Sequence, residues 1–287
     1  MDVKSLEKSD LEPANLPALS SRIAKLEAGD RLKFLLTSAR NSAVPSTKKS
    51  FHAVFSTSLG VEDQVILHLL HREKLLKNVG VFTLDTGRLF PETYSLLETT
   101  VKHYGADIKV YFPNWENVEK YVQDFGINGF FHSPENRKRC CSIRKIEPLK
   151  RALTDFTSGG GDGDNNGGDG GSGGDGSGGE KLPGVWITGL RADQSENRSY
   201  IDFFQWDSEN EIVKFHPLAD WTYQQCLDFC SANSVPISKL VEKGFVSIGC
   251  APCTRAISKG ESFRDGRWWW EDKSKKECGL HFSSSKV

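Results

Sequence analysis

From residue 51 to residue 125 the chain alternates short apolar runs with helical periodicities, and that alternation leaves few folds open. Phe51-His52-Ala53-Val54-Phe55-Ser56 reads as a strand and Val61 to Leu76 as a helix. Val79 to Leu84 reads as a second strand, followed by a helix from Pro91 to Tyr104. Asp107 to Phe112 and Trp115 to Phe125 repeat the strand and helix. Strands connected through helices pair in parallel, so the pattern predicts an α/β fold with a doubly wound, mostly parallel sheet. Val185 to Leu190 resumes the sheet. Phe203–Trp206 and Ile212–Phe215 predict a hairpin, and Trp221 to Ala232 a further helix.

The flanks read differently. Residues 1–50 form an amphipathic helical lead-in, with Leu16, Leu19, Ile23, Leu26, Leu32, Phe34 and Leu35 near helical spacing and a break at Gly29. Ser158 to Gly179 is almost all Gly, Asp, Asn and Ser. Such a run cannot bury a core, so 158–180 is expected to be a flexible insertion within one domain spanning 51–257. Asp162, Asp164, Asn166 and Gly167 match the start of an EF-hand loop. The twelfth position is Gly173 rather than a bidentate Glu, and flanking helices are missing, so calcium binding is not expected. Residues 258–287 read as a C-terminal tail.

The formal net charge is −1, which argues against nucleic acid or a membrane surface as a partner. No apolar run is long enough to span a bilayer, and Met1 to Asp10 has no apolar core of a signal peptide. The expected location is cytoplasmic and reducing. There, seven cysteines are ligands or catalytic groups before they are disulfides.

Those cysteines fall into distinct settings. Cys140 and Cys141 are adjacent, among Lys138, Arg139, Arg144 and Lys145, at or near the start of a helix predicted from Arg139 to Leu153. Cys250-Ala251-Pro252-Cys253 supplies a second pair. Two plus two thiolates satisfy a Cys₄ site, for either tetrahedral zinc or an iron–sulfur cluster, and cations and a helix N-terminus both favour thiolate. Cys226 and Cys230 lie beside Leu227 and Phe229 and read as packed core thiols. Cys278 stands apart, after Lys273, Lys275 and Lys276 and before His281. That is the setting of an activated nucleophile on a mobile tail; the alternative is an incidental cysteine at a frayed terminus.

Ligands on such sheets sit at the carboxyl ends of the strands. Ser56 to Gly60 and Asp85 to Gly87 fall at such ends. The first is a small-residue loop feeding a helix N-terminus, where unpaired N–H groups make an anion site, although a plain βα turn would look the same. It lacks the Gly-Lys-Ser/Thr ending of a Walker A loop.

The following segments, in order, resemble the assimilatory phosphosulfate reductases, and most closely the adenylyl-sulfate (APS) reductases. They are Ser56 to Asp63, Leu84 to Gly87, Lys138 to Lys145 with Pro148-Leu149, Gly189 to Ser195, Cys250 to Thr254 and Glu277 to His281. The resemblance implies an adenine-nucleotide α-hydrolase-like (PP-loop) fold and a [4Fe-4S] cluster on Cys140, Cys141, Cys250 and Cys253. It implies reduction of APS to sulfite and AMP in assimilatory sulfate reduction, which feeds cysteine biosynthesis. Cys278 would attack the substrate sulfur and carry a Cys-S-sulfonate. Lys145, Arg264, Arg267 and His281 would hold the phosphosulfate, and Ser56, Ser58 and Gly60 the phosphate or sugar. Leu84, Asp85, Thr86 and Gly87 would border the adenosine, and Arg191 would close the site.

Family members that use PAPS generally lack the paired cysteines, which favours APS here and leaves PAPS reduction as the nearest alternative. A cluster-bearing tRNA-thiolating enzyme of the same fold would show a Ser-Gly-Gly-x-Asp-Ser loop and a basic surface, and this chain has neither. A zinc-binding module is the non-enzymatic rival. The family's thioredoxin-like extension is absent, so a separate thioredoxin is the expected electron donor. A homo-oligomer is compatible with the sequence.

Overall fold

The structure, a computed structural model, describes residues 6–41, 52–157, 184–194 and 201–272. The Gly/Asp-rich insertion and the segment with Cys278 and His281 lie outside the described residues. Helices α1 (Leu16–Ile23) and α2 (Ala28–Asn41) precede strand β1 (His52–Ser56). Then come α3 (Val61–Arg72), β2 (Gly80–Leu84), α4 (Pro91–Tyr104), β3 (Ile108–Tyr111) and α5 (Trp115–Phe125). Helix α6 (Pro134–Cys141) runs through a π-helical turn, Ser142–Ile146, into α7 (Glu147–Thr157). Strands β4 (Gly184–Ile187), β5 (Phe204–Asp207) and β6 (Ile212–Phe215) and helix α8 (Tyr223–Ala232) complete the described core.

The six strands form one sheet in the order β3-β2-β1-β4-β6-β5. All neighbours are parallel except β5, which pairs antiparallel with β6, Phe204 opposite Phe215, as the predicted hairpin requires. Alternate residues supply the two faces. Phe55, Val81, Val185, Ile187, Val213 and Phe215 join one cluster with α1, α2, α3 and α8. Val54, Phe82, Trp186 and Ile212 join Leu149, Ala152 and Leu153 of α7 in another. Both faces are therefore covered, which is the doubly wound arrangement. Strand order reverses at β1, with β2 and β3 to one side and β4 to the other, so the crevice for a ligand lies beyond β1 and β4.

Two local details differ from the sequence expectation. The break between the first two helices falls at 24–27, and Gly29 sits in the first turn of α2, where its freedom weakens only the helix end. Leu16, Ile23, Leu32 and Leu35 share the sheet's own core, so the lead-in packs on the main sheet. The second difference concerns Cys140 and Cys141, which close the last turn of α6 rather than opening a helix. Ser133 caps that helix by accepting the Asn136 N–H, with Pro134 at its first position. In a regular helix Pro148 would remove one bond and press its ring on the Arg144 carbonyl; the π turn lies where that conflict arises.

Helix α8 starts at Tyr223 because Thr222 and Gln225 form a capping box. It buries Cys226 and Cys230 in the main core, where burial pushes the Cys230 thiol up to about 12. Among the described residues no helix is long and apolar enough to cross a membrane.

Candidate active site

A cleft of about 230 Å³ opens beyond the carboxyl ends of β1, β2 and β4. Ser56, Ser58, Gly60, Leu84, Thr86, Lys145, Arg264 and Arg267 all line it, although they come from four separate stretches of chain. Asp85, Gly87 and Arg191 do not. Asp85 accepts the Gly87 N–H at 2.7 Å and the Tyr94 hydroxyl at 2.9 Å, which shapes the turn that brings Thr86 to the cleft. Gly87 has φ +69°, a conformation glycine adopts at little cost. Arg191 lies beneath the cleft, fully buried, donating to Glu62 Oε1 at 3.0 Å and to Asp193 Oδ2 at 2.9 Å.

The strand–loop–helix at β1 differs from a simple anion cradle. Trp186 donates its indole N–H to Ser56 Oγ at 2.7 Å. Asp63, in the first turn of α3, accepts both the Ser58 N–H at 2.6 Å and the Ser58 hydroxyl at 2.7 Å. The helix N-terminus thus already faces a buried carboxyl, with Glu62 beside it. Gly189 brings the β4 end against this group: a Cβ there would sit 2.3 Å from Asp63 Oδ1.

Burial pushes the Asp63 carboxyl up to about 7, against the Ser58 hydrogen bonds that favour its ionised form. In the unfolded chain it ionises near the ordinary value of about 3.9. Folding therefore favours the protonated acid: that stability is full below about pH 4 and is lost as pH rises through about 7. The thermal midpoint of Asp63→Asn, relative to the parent, is expected to climb from pH 5 to pH 8. The upper limit on that climb is about 3 kcal/mol, from roughly two pH units between 5 and the Asp63 value of about 7 at about 1.4 kcal/mol per unit. Parallel melting curves check this, and a gap that stays constant with pH contradicts it.

Positive charge reaches the cleft from two directions. Lys145 comes from the π turn, and Arg264 and Arg267 from the strap of chain after the second cysteine pair. Gly249 makes room for the strap, since a Cβ there would meet Arg267 Nη2 at 2.4 Å. Arg267 N–H bonds to the Arg264 carbonyl, and Arg255 N–H to the Gly266 carbonyl, both at 2.9 Å, so the strap folds back on the chain beside Cys253.

The cysteine pairs lie behind Thr86, outside the lining of the cleft. Cys140, Cys250 and Cys253 share one buried cluster with Phe130, Trp268 and Trp270. Cys141 is buried nearby, close enough that its charge, like those of Cys140 and Cys253, acts on Tyr121. Thr86 Oγ1 is 3.2 Å from Cys250 Sγ, and Ala251 N–H bonds to the Arg88 carbonyl at 2.8 Å, so the second pair is tied to the β2 turn.

The surrounding cations do not act on all four thiols alike. Burial alone would raise the Cys250 thiol, but Lys145, the Thr86 hydrogen bond, Arg267 and Arg144 together hold it below its ordinary value. Burial wins at Cys253, which rises to about 12, and at Cys140 despite Arg144. Arg144 is anchored by its bond to the Thr86 carbonyl at 2.6 Å, and Arg139 lies over Phe125 instead of a thiol. Among the described residues no group of three or more His, Cys, Asp or Glu side chains is arranged to hold a metal ion. Cys278 and His281 lie outside the described residues.

Several lining residues carried no role in the sequence reading: Glu62, Asp63, Thr188, Gln194, the stretch 245–249 and Phe263. Gln194 Nε2 donates to Glu62 Oε1 at 2.9 Å and so continues the Arg191 network to the cleft. A buried Asp two residues into a helix that follows a polar loop was the one legible signal among them.

A parallel sheet with its cleft at the strand-order reversal, above a β1 loop without a Walker lysine, defines the adenine-nucleotide α-hydrolase-like class. Phosphoadenylyl-sulfate (PAPS) reductase from Candida auris, solved as a phosphate complex, shares the fold with a TM-score of 0.61 at 20% identity, covering 88% of this chain and 100% of that one. The FMN adenylyltransferase of Candida glabrata, solved with FAD and inorganic pyrophosphate, aligns with a TM-score of 0.50 at 15% identity over 88% of this chain and 70% of that one. The phosphoadenosine phosphosulfate reductase domain matches residues 52–168 and 175–256. Adenosine 5'-phosphosulfate reductase of Allochromatium vinosum is 42% identical over 228 residues, 79% of this chain and 78% of that protein. Its counterpart from Agrobacterium fabrum is 36% identical over 284 residues, 99% of this chain and 94% of that protein. The chain belongs to the phosphoadenosine phosphosulfate reductase family and is a reductase.

Proposed function

We propose that this reductase converts adenosine 5'-phosphosulfate to sulfite and AMP, with thioredoxin as the reductant, in assimilatory sulfate reduction. The observation that carries the reading is the placement of Lys145, Arg264 and Arg267 in a cleft whose lining residue Thr86 touches Cys250, with Cys140 and Cys253 in the same buried cluster behind it. Relatives named adenosine 5'-phosphosulfate reductase over most of the chain support the choice of APS.

In the proposed reaction the Cys278 thiolate attacks the sulfur of the sulfate group. A Cys278 S–S bond forms, the bridging S–O bond breaks, and AMP departs with the electron pair. A thioredoxin thiolate then attacks Cys278 Sγ, sulfite leaves with the pair of the broken S–S bond, and the second thioredoxin thiol resolves the mixed disulfide. Two electrons pass from one dithiol to one substrate. The cationic side chains, with His281, hold the phosphosulfate and neutralise charge that develops on the departing phosphate oxygen. Ser56, Ser58 and Gly60 bind phosphate or sugar, and Leu84 and Thr86 border the nucleoside.

Cys140, Cys141, Cys250 and Cys253 would hold a [4Fe-4S] cluster. Support comes from the donor set: thiols from two elements meet in one buried cluster, and the indole N–H groups of Trp268 and Trp270 are buried there without a partner. Such donors suit the sulfur atoms of a group larger than one ion. When bound, the cluster would join the two cysteine pairs and set the local field beside Lys145.

Sulfite release with APS, with PAPS and with reduced thioredoxin tests the function, using the parent and Arg267→Ala. The parent is expected to favour APS. Loss of one charge-assisted contact to a desolvated anion should cost Arg267→Ala about 1.5–3 kcal/mol in kcat/KM. Equal rates on PAPS, or a variant as active as the parent, would defeat the reading.

A further inference from the structure

Arg137 and Glu271 form a bidentate ion pair sealed from solvent. Nε reaches Oε1 and Nη2 reaches Oε2, each at 2.9 Å, and the side chains are 1% and 2% exposed. Such a pair is a weak source of stability, because desolvation offsets the attraction, but its fork fixes relative position closely. It joins two parts of the site. Arg137 is on α6, one turn before Cys140. Glu271 lies four residues past Arg267 on the strap that carries Arg264 and Arg267.

Between them stands Trp268, whose φ of +43° lies in the left-handed region that non-glycine residues avoid. Its N–H bonds to the Cys253 carbonyl at 3.1 Å, and its carbonyl accepts the Glu271 N–H at 2.9 Å. The Arg137 guanidinium lies 4.5 Å from the Trp268 ring, with Arg267 at 4.7 Å and Arg264 at 6.0 Å. A strained turn thus lies against both the cleft cations and the ion pair.

We infer that Arg137 and Glu271 are positioning residues: their pair clasps the Trp268 turn and thereby aims Arg264 and Arg267 at the anionic group of the bound nucleotide. The inference rests on the proposed reading of the cleft as a sulfonucleotide site. Neither residue lines the cleft, so in this inference each acts on it through the strap.

Calorimetric binding of APS to the full chain tests it, with the parent, Glu271→Gln, Arg267→Ala and the double variant. Glu271→Gln should weaken binding about tenfold, in the range of coupling seen for residues in one network. In the double variant the further loss beyond Arg267→Ala should fall well below tenfold, because the part of the clasp's effect that runs through Arg267 is already gone and only the part through Arg264 remains. Losses that simply multiply, or a Glu271→Gln affinity within twofold of the parent, overturn the inference. Should Glu271→Gln not fold, Arg137→Lys keeps the charge without the fork and takes its place.

A second readout does not need the substrate. The tryptophan near-ultraviolet circular dichroism should fall in the clasp variant while the far-ultraviolet spectrum is retained. An unchanged near-ultraviolet signal refutes the clasp even if APS fails to bind the parent, a result that would instead count against the cleft reading.

Discussion

Cys278→Ser is expected to release no sulfite while keeping its iron and its affinity for APS. Loss of a covalent nucleophile removes the whole pathway, so the rate should drop by roughly three orders of magnitude or more. The grounds are chemical. Cys226 and Cys230 are sealed in the core, and burial raises both thiols, so neither is available as a thiolate. Cys140, Cys141, Cys250 and Cys253 lie behind the cleft, in or beside the cluster of Phe130, Trp268 and Trp270, and are the proposed cluster ligands. Cys278 alone remains, six residues past Asp272, where the described strap ends. Six residues span at most about 20 Å, which is the upper limit on the reach of the thiol from Asp272. Mass spectrometry of the parent with APS and no thioredoxin should find one added SO₃ on the peptide containing Cys278. An adduct on a different cysteine, or turnover by Cys278→Ser, would refute the assignment.

The sheet was legible because strands such as Val185 to Ile187 are buried on both faces and read as continuous apolar runs. The hairpin was legible because Asp207 to Asn210 breaks two such runs. Helix α6 was not read, although Ser133 and Pro134 announce it; its body, Glu135 to Arg139, is too polar to show an amphipathic face. That error moved the cysteine pair from the end of a helix to its start and credited it with a helix N-terminus that favours thiolate, whereas burial raises Cys140 and the thiol held low by cations is Cys250. The cleft cations were found through family resemblance. Their convergence depends on Gly249 and on the Trp268 turn, and neither has a periodic signature. Arg191 shows the opposite failure: an arginine after a strand reads as a ligand group, and only the fold reveals Glu62 and Asp193 as its partners.

Cys250→Ser and Cys140→Ser should each lose iron, the brown chromophore and activity together. The two cysteines come from different elements, α6 and the segment before the strap, so either loss should leave the other pair unable to hold a cluster. Cys250 should be the more sensitive site. Its thiol is the one drawn toward thiolate by Lys145, Thr86, Arg267 and Arg144, and serine supplies an oxygen that ionises far less readily. Cys226→Ser is the matched control. It places a hydroxyl in the core at a cost of about 1–3 kcal/mol, which lowers the melting temperature but leaves the iron content at the parent level. Iron and visible absorption, measured on protein purified without oxygen, decide the matter. A colourless parent with one bound zinc would replace the cluster with a mononuclear Cys₄ site. Full iron content in Cys250→Ser would remove that residue from the ligand set. The control separates both outcomes from general instability, because a variant that loses iron only by unfolding would do so in proportion to its lost melting temperature, whichever cysteine was changed.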